Sequence, residues 1–594
     1  MHLSFLDWTI IAAFLIVTLV IGQWASKKAG RSVKDFFLSG RDMPWWLLGV
    51  SMVATTFSAD TPNLVTDIIR NNGVAGNWVW WAFLLTGMAT VFIYAKLWRR
   101  SGITTDLEFY ELRYGGPQAR FLRMFRAVYL GVFFNVIIMA TVLLAGIKIA
   151  GVMLGLSAVQ TVLLVSLVTV TYSVLGGLRG VILTDFFQFF LSMAGMIAAA
   201  IYVIRLPEIG GLDRLIHHPA VEDKIHFFPD FSDPNVAIPM FFIPIAVQWW
   251  ATWYPGAEPG GGGYVAQRML SAKDEKDAIK ATLLFNAAHY ALRPWPWIII
   301  ALASLIVFPD LNSLAQSFPH IDPDVVQHDL AFSAMLTTLP SGLMGLVIAA
   351  LISALMSTIS THLNWGASYM VNDIHLRKTR LDTLDAVQSE VAGKDAVRLG
   401  RTWTVILMIL AALFALLLEN ALQAFEILLQ IGAGTGLLFL LRWFWWRINA
   451  YSEIVAMVVS FAIALFFEFG YDGGLESWQK FCLGVAITTV CWVVATLVTK
   501  PTNSDKLRSF YTMIRPHKLG WGPVVESMGP LKATGQSGSF IVELGMMFVG
   551  SVMIYAALFG MGYLLYGQTV WAGIALGVML LSGLILRSLW KKLN

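Results

Sequence analysis

Charge is scarce in this chain. Only 13 % of its 594 residues are Asp, Glu, Lys or Arg, about half the share expected of a soluble globular domain, and 57 % are hydrophobic. The formal net charge is +4, too small to argue for nucleic acid. Cysteine is almost missing. Cys482 and Cys491 fall in one apolar run, about 180° apart around a helix, so they cannot bridge each other and imply nothing about redox compartment. Enzyme signatures are missing as well. No HExxH, nucleophile elbow or paired-aspartate motif interrupts the apolar stretches, and no soluble catalytic or kinase domain fits between them. What remains is an all-α polytopic membrane protein.

Apolar windows long enough to cross a bilayer, roughly 17–25 residues each, run from 7–25 to 570–589 and predict about 15 spans. With the N-terminus outside, the predicted inner loops hold all but seven of the 41 Lys and Arg, the asymmetry of the positive-inside rule. The first run, Trp8 to Trp24, is followed rather than preceded by lysines, the reverse of a cleavable signal peptide. The expectation is an integral protein of a bacterial inner (plasma) membrane, with its C-terminus cytoplasmic. Outer loops 206–235 and 309–337 read as short surface segments, and inner loops 374–399 and 499–539 as polar stretches, amphipathic or partly disordered. Many of the 23 Trp stand at predicted helix ends, as an interfacial belt would place them.

Two windows cannot be continuous helices. Window 236–266 contains Pro255-Gly256-Ala257-Glu258-Pro259-Gly260-Gly261-Gly262-Gly263, and no helix survives prolines and glycines at that density. Unwound backbone at membrane depth is tolerated only inside protein or along a cavity. Glu258 adds a carboxylate there, where charge is costly unless it has a role. Window 45–69 combines Pro62, Asp60 and the hydroxyls of Ser51, Thr55, Thr56, Ser58 and Thr61. Counted from it as core span one, the Gly-rich break falls in core span six. Broken helices in matching positions five spans apart predict an inverted repeat with its site at the breaks. Free carbonyls there can ligate a cation, and half-helix N-termini can face an anion.

Core span eight carries Ala354, Ser357, Thr358 and Thr361 on one helical face. Hydroxyls with a helix carbonyl make a neutral, hard oxygen site, better suited to a monovalent than a divalent cation. The plain alternative is back-bonding to a carbonyl one turn earlier, or helix packing.

Together these residues resemble the sodium/solute symporter family, which includes sodium–glucose, sodium–proline and sodium–sialic acid transporters. The resemblance rests on Ser39-Gly40-Arg41-Asp42-Met43-Pro44-Trp45-Trp46, on Gly176-Gly177-Leu178-Arg179-Gly180-Val181 through Thr184-Asp185 to Gln188, on Gln267-Arg268-Met269-Leu270-Ser271-Ala272-Lys273-Asp274, and on Ala354 to Thr361 followed by Asn372-Asp373-Ile374. These occur in family order and span about residues 1–445. The resemblance implies the leucine-transporter fold. An N-terminal extra helix (1–43) would precede two inverted five-helix repeats (44–206 and 236–442), with four peripheral helices (443–594) after them. It also implies sodium-driven import by alternating access. One Na+ would take the carbonyls of Ala54, Phe57 and Ala354 and the hydroxyls of Ser357 and Thr358. A second would use Asp185, Ser360 and Thr361, although Asp185 near the inner end of its helix also reads as a structural carboxylate.

Solute is expected between the breaks. The candidates are Thr56, Asp60 and Thr61 on span one, Gln248, Trp249, Trp253 and Glu258 on span six, His289 and Arg293 on span seven, and Glu426 and Gln430 on span ten. The Pro- and Gly-rich run departs from the family pattern, and Trp253 or Tyr254 would supply an aromatic gate. One reading joins Asp60, Glu258, Arg293 and Glu426 in an ion-pair network, since intramembrane charges mostly pair. The other is recognition of a small polar solute, a sugar or sugar derivative. Arg293 left unpaired would instead favour a carboxylate, as in sialic acid, a sugar acid or an amino acid. Two further readings stay open: proton coupling through Asp60, Glu258 or Asp185, and a non-transporting solute sensor. The expected partners are solute, sodium and the lipid bilayer, with no obligatory protein partner evident.

Overall fold

A chain surrounded by lipid must satisfy its backbone polar groups internally, and helices do so within one segment. The computed structural model describes residues 3–29, 32–252, 256–319, 321, 326–378, 386–418, 432, 434–471, 473–529 and 539–592. Among them, β-type pairing reduces to one isolated bridge, between Met43 and Ala272. The helices that matter below are α1 (Phe5–Ala29), α2 (Trp45–Thr56), α3 (Asp60–Asn72), α4 (Val74–Ser101), α5 (Gly116–Leu154) and α6 (Ala158–Val203). They continue with α7 (Gly263–Ser271), α8 (Glu275–Val307), α9 (Leu343–His375), α10 (Ala386–Ala415), α11 (Ala450–Phe469), α12 (Ser477–Val498), α13 (Phe540–Leu565) and α14 (Thr569–Trp590).

Eleven of the described helices are long and apolar enough to cross a membrane, against about 15 expected windows. The difference has physical causes. Windows 157–175 and 181–204 are one element, α6, bent where Gly177 adopts φ 51 and ψ −157. A Cβ at Gly177 would lie 2.7 Å from the Phe36 carbonyl oxygen, so the bend needs glycine. Windows 45–69 and 236–266 are broken, as Pro and Gly foretold, and most of window 420–441 lies outside the described residues.

α6 packs against α1, α2 and α9. α1 is pinned through Asp7, whose Oδ1 accepts from the Gly342 and Gly345 N–H groups at 2.7 and 2.8 Å. A carboxylate there satisfies donors that the first turn of α9 leaves free. At the other end of the chain, α13 packs on α4 and α8. It is fixed by a buried Lys96 Nζ–Glu543 Oε1 pair at 2.5 Å and by Tyr555, whose hydroxyl donates to the Trp81 carbonyl at 2.8 Å. Large apolar side chains such as Leu167, Phe548, Val570 and Leu584 remain exposed, as a lipid-facing surface requires.

Candidate functional site

α2 stops at Thr56 because Phe57 leaves the helical region, with φ −84 and ψ 64. Residues 57–59 separate it from α3, and the break frees carbonyls that a continuous helix would use. Pro62 sits in the first turn of α3, where a missing N–H costs little. α9 crosses this break with its hydroxyl-bearing face. Thr358 Oγ1 donates to the Thr55 carbonyl at 2.8 Å and to the Ala354 carbonyl at 3.2 Å. The second contact is the ordinary back-bond of a membrane Thr. The first ties α9 to the end of α2.

The adjacent Ser357 Oγ donates to Asp185 Oδ1 at 2.6 Å, and Ser51 Oγ, one turn before Thr55, donates to Asp185 Oδ2 at 2.6 Å. Arg268 of α7 is fully buried. It donates through Nη2 to Thr361 Oγ1 at 2.7 Å and stands 3.5 Å from Asp185 Oδ2. Ser360 Oγ donates to the Ser357 carbonyl at 3.0 Å. Asp185, Ser357 and Thr361 therefore share one buried network with a guanidinium already inside it. The Gln267-Arg268 motif was visible in the sequence, but nothing there disclosed this partner.

Between the breaks lies a cavity of about 270 Å³. Thr56, Asp60, Thr61, Glu258, His289, Arg293 and Thr358 all line it. Gln248 and Trp249 do not. The chain leaves helix at Val247, φ −124, so Gln248 Nε2 turns to the Val79 carbonyl at 2.7 Å, and the Trp249 carbonyl accepts from the Thr86 hydroxyl. Trp253, Glu426 and Gln430 lie outside the described residues. The expected ion-pair network is also rearranged. Glu258 pairs with Arg126 of α5, a residue the sequence placed with the inner-loop bases. Arg293 has no Asp or Glu oxygen within 4.0 Å among the described residues. Its partners are Thr56 Oγ1 at 3.1 Å and His289 Nε2 at 3.4 Å.

The Gly-rich segment forms one wall of the cavity and is tied down beneath it. Trp98 Nε1 donates to the Gly260 carbonyl at 2.8 Å. Asp106 accepts from the Gly263 N–H at 2.9 Å and from the Tyr369 hydroxyl at 2.5 Å. Burial first, and then the charge of Glu258, push the Asp106 carboxyl up to about 6. Gly260 and Gly261 have φ 82 and 96, and a Cβ on Gly261 would lie 2.5 Å from Met269 Cε.

Two polar walls escaped the sequence reading. His362 lies four residues beyond Thr358, on the same helical face; its Nδ1 is 2.7 Å from Asn135 Oδ1. Asn286 donates to the Thr282 carbonyl at 2.8 Å, leaving Oδ1 buried without a hydrogen-bond partner among the described residues.

Residues 36–460 match the sodium:solute symporter family. The sodium/glucose cotransporter of Vibrio parahaemolyticus is 27 % identical over 79 % of this chain and 86 % of its own length. The sodium/sialic acid symporter of Proteus mirabilis (strain HI4320) is 26 % identical over 84 % of this chain and 95 % of its own. The solved structure of a Na+-coupled sialic acid symporter in a substrate-bound outward-open state shares the fold, with a TM-score of 0.67 at 22 % identity over 84 % of this chain and 99 % of that one. With more than half its length matched to one family, the chain belongs to the sodium:solute symporters and couples solute movement across a membrane to Na+.

Proposed function

We propose that this symporter imports a small hydroxylated organic solute, a sugar or sugar derivative, through the cavity between its two broken helices. The observation that carries the reading is the 2.8 Å bond from Thr358 Oγ1 to the Thr55 carbonyl. It brings the hydroxyl face of α9 against the frayed end of α2, beside the solute cavity. Sodium would take the Ala54, Phe57 and Ala354 carbonyls with the Ser357 and Thr358 hydroxyls. By binding there it would order the break and favour the outward-open form, raising solute affinity by linkage. Joint occupancy would then permit inward opening, with repeats 44–206 and 236–442 moving against each other. A second sodium at Asp185, Ser360 and Thr361 would have to displace Arg268 from Thr361. The orientation fits an inner membrane with the basic loops cytoplasmic. The glucose and sialic acid relatives support a hydroxylated solute.

The test is uptake into proteoliposomes under an inward sodium gradient. Ser357→Ala and Thr358→Ala should each remove sodium-stimulated uptake while the protein still inserts. Full sodium dependence in both variants would overturn the site. Uptake driven by a pH step without sodium would favour proton coupling instead.

A further inference from the structure

Arg293 is 2 % exposed and lines the solute cavity, yet its hydrogen-bond partners among the described residues are neutral. Arg293 Nη2 faces His289 Nε2 at 3.4 Å, so that ring nitrogen accepts and Nδ1 carries the proton. Nδ1 stands 3.1 Å from Thr56 Oγ1, which also accepts from Arg293 Nη1 and donates to the Val53 carbonyl at 2.9 Å. The triangle is closed, and every acceptor in it is used. Arg293 Nε has no hydrogen-bond partner among the described residues. The guanidinium lies over the Trp297 ring, 5.1 Å from its centroid, which steadies a cation without neutralising it. A buried charge held this way is strongly unfavourable unless a counter-charge arrives.

Asp60 lines the same cavity and is close enough for its charge to reach Arg293, but the two form no ion pair within 4.0 Å. Among the described residues Asp60 Oδ1 has no hydrogen-bond partner, and neither has Asn286 Oδ1. The cavity thus offers a fixed cation with a free donor and, apart from it, the free acceptors of Asp60 and Asn286; Ser58 Oγ and Glu258 Oε2 are open as well, the latter on a carboxylate whose charge Arg126 already pairs. Resting on the symport reading above, we propose that the preferred solute is a small hydroxylated carboxylic acid of the sugar-acid class. Its carboxylate docks on the Arg293 fork, and its hydroxyls donate to Asp60 and Asn286. A neutral sugar could fill the acceptors but would leave the guanidinium without a close ion pair, balanced only by the more distant Asp60 charge, with the coupled Na+ adding a further positive charge nearby. The carboxylate offsets that charge, and the planar fork recognises it in two directions at once.

Matched analogues test this without a variant. Tryptophan-fluorescence titrations of the purified full-length protein, in sodium and in choline chloride, would compare D-glucuronate with D-glucuronamide and D-glucose, and D-galacturonate with D-galactose. In sodium the acids should bind roughly 30-fold or more tighter than their neutral partners, the scale of leaving one buried charge unpaired. Arg293→Gln should erase that preference while sodium alone still changes the fluorescence. Neutral analogues binding as tightly as the acids, or Arg293→Gln keeping the preference, would overturn the assignment. Acid preference identical in sodium and choline would leave this proposal standing and sink the sodium-coupled use of the cavity.

Discussion

At Gly87 the difference between a hydrogen and a methyl group decides where Asn286 can sit. A Cβ there would overlap Asn286 Oδ1, which has no hydrogen-bond partner among the described residues. Overpacking at such a contact costs about 1–3 kcal/mol, and the amide would have to swing away. Gly87→Ala should therefore weaken solute binding roughly tenfold with sodium binding unchanged, measured as separate titrations of the two ligands. Equal affinity for solute would mean that Asn286 does not touch it. Residues like these were legible to different degrees. Ser357, Thr358 and Thr361 could be read because a fixed hydroxyl spacing on a helix means a shared face. Gln248 and Trp249 were misplaced because the chain leaves helix at Val247, and spacing no longer says where a side chain points. The partner of Glu258 was invisible for another reason: Arg126 stands where sequence sees an inner-loop base, but it is 4 % exposed inside the bundle.

Elements interrupted by Pro and Gly declared themselves, since those residues forbid a continuous helix whatever surrounds them. The bend at Gly177 did not, because hydropathy cannot tell a kink between two apolar runs from a loop. What the broken span six does also needed coordinates. Its Gly-rich segment is held by bonds from Trp98 to Gly260 and from Gly263 to Asp106, which also accepts from Tyr369, and by the pairing of Glu258 with Arg126. Asp106 accepts on both oxygens. An asparagine has one acceptor oxygen and would set an amide N–H against a donor. Asp106→Asn should thus cost about 1–3 kcal/mol locally and loosen the segment before the rest of the fold. Hydrogen exchange across residues 256–263 should quicken, with the exchange of α11 and α12 unchanged. Protection equal to that of the parent protein would show that Asp106 does not hold this wall.

Across the whole molecule, the peripheral C-terminal helices and the ion site make separable contributions to stability. α13 braces α4 and α8 through Lys96–Glu543 and Tyr555–Trp81, and α4 and α8 each supply cavity walls. Glu543→Gln strands a buried ammonium and should cost about 3 kcal/mol or more, lowering Tm at every sodium concentration. Ligand linkage adds to this independently: sodium at 100 times its Kd stabilises the folded state by about 2.7 kcal/mol. The rise in Tm between choline and sodium should therefore survive in Glu543→Gln, from a lower starting point. It should vanish in Thr358→Ala, whose baseline in choline moves little because one shared hydroxyl is lost. If Thr358→Ala keeps the full sodium increment, the ion does not sit where α9 meets the end of α2. If Glu543→Gln loses the increment, the C-terminal brace is part of the ion site's own equilibrium, and the peripheral helices take part in coupling rather than merely supporting it.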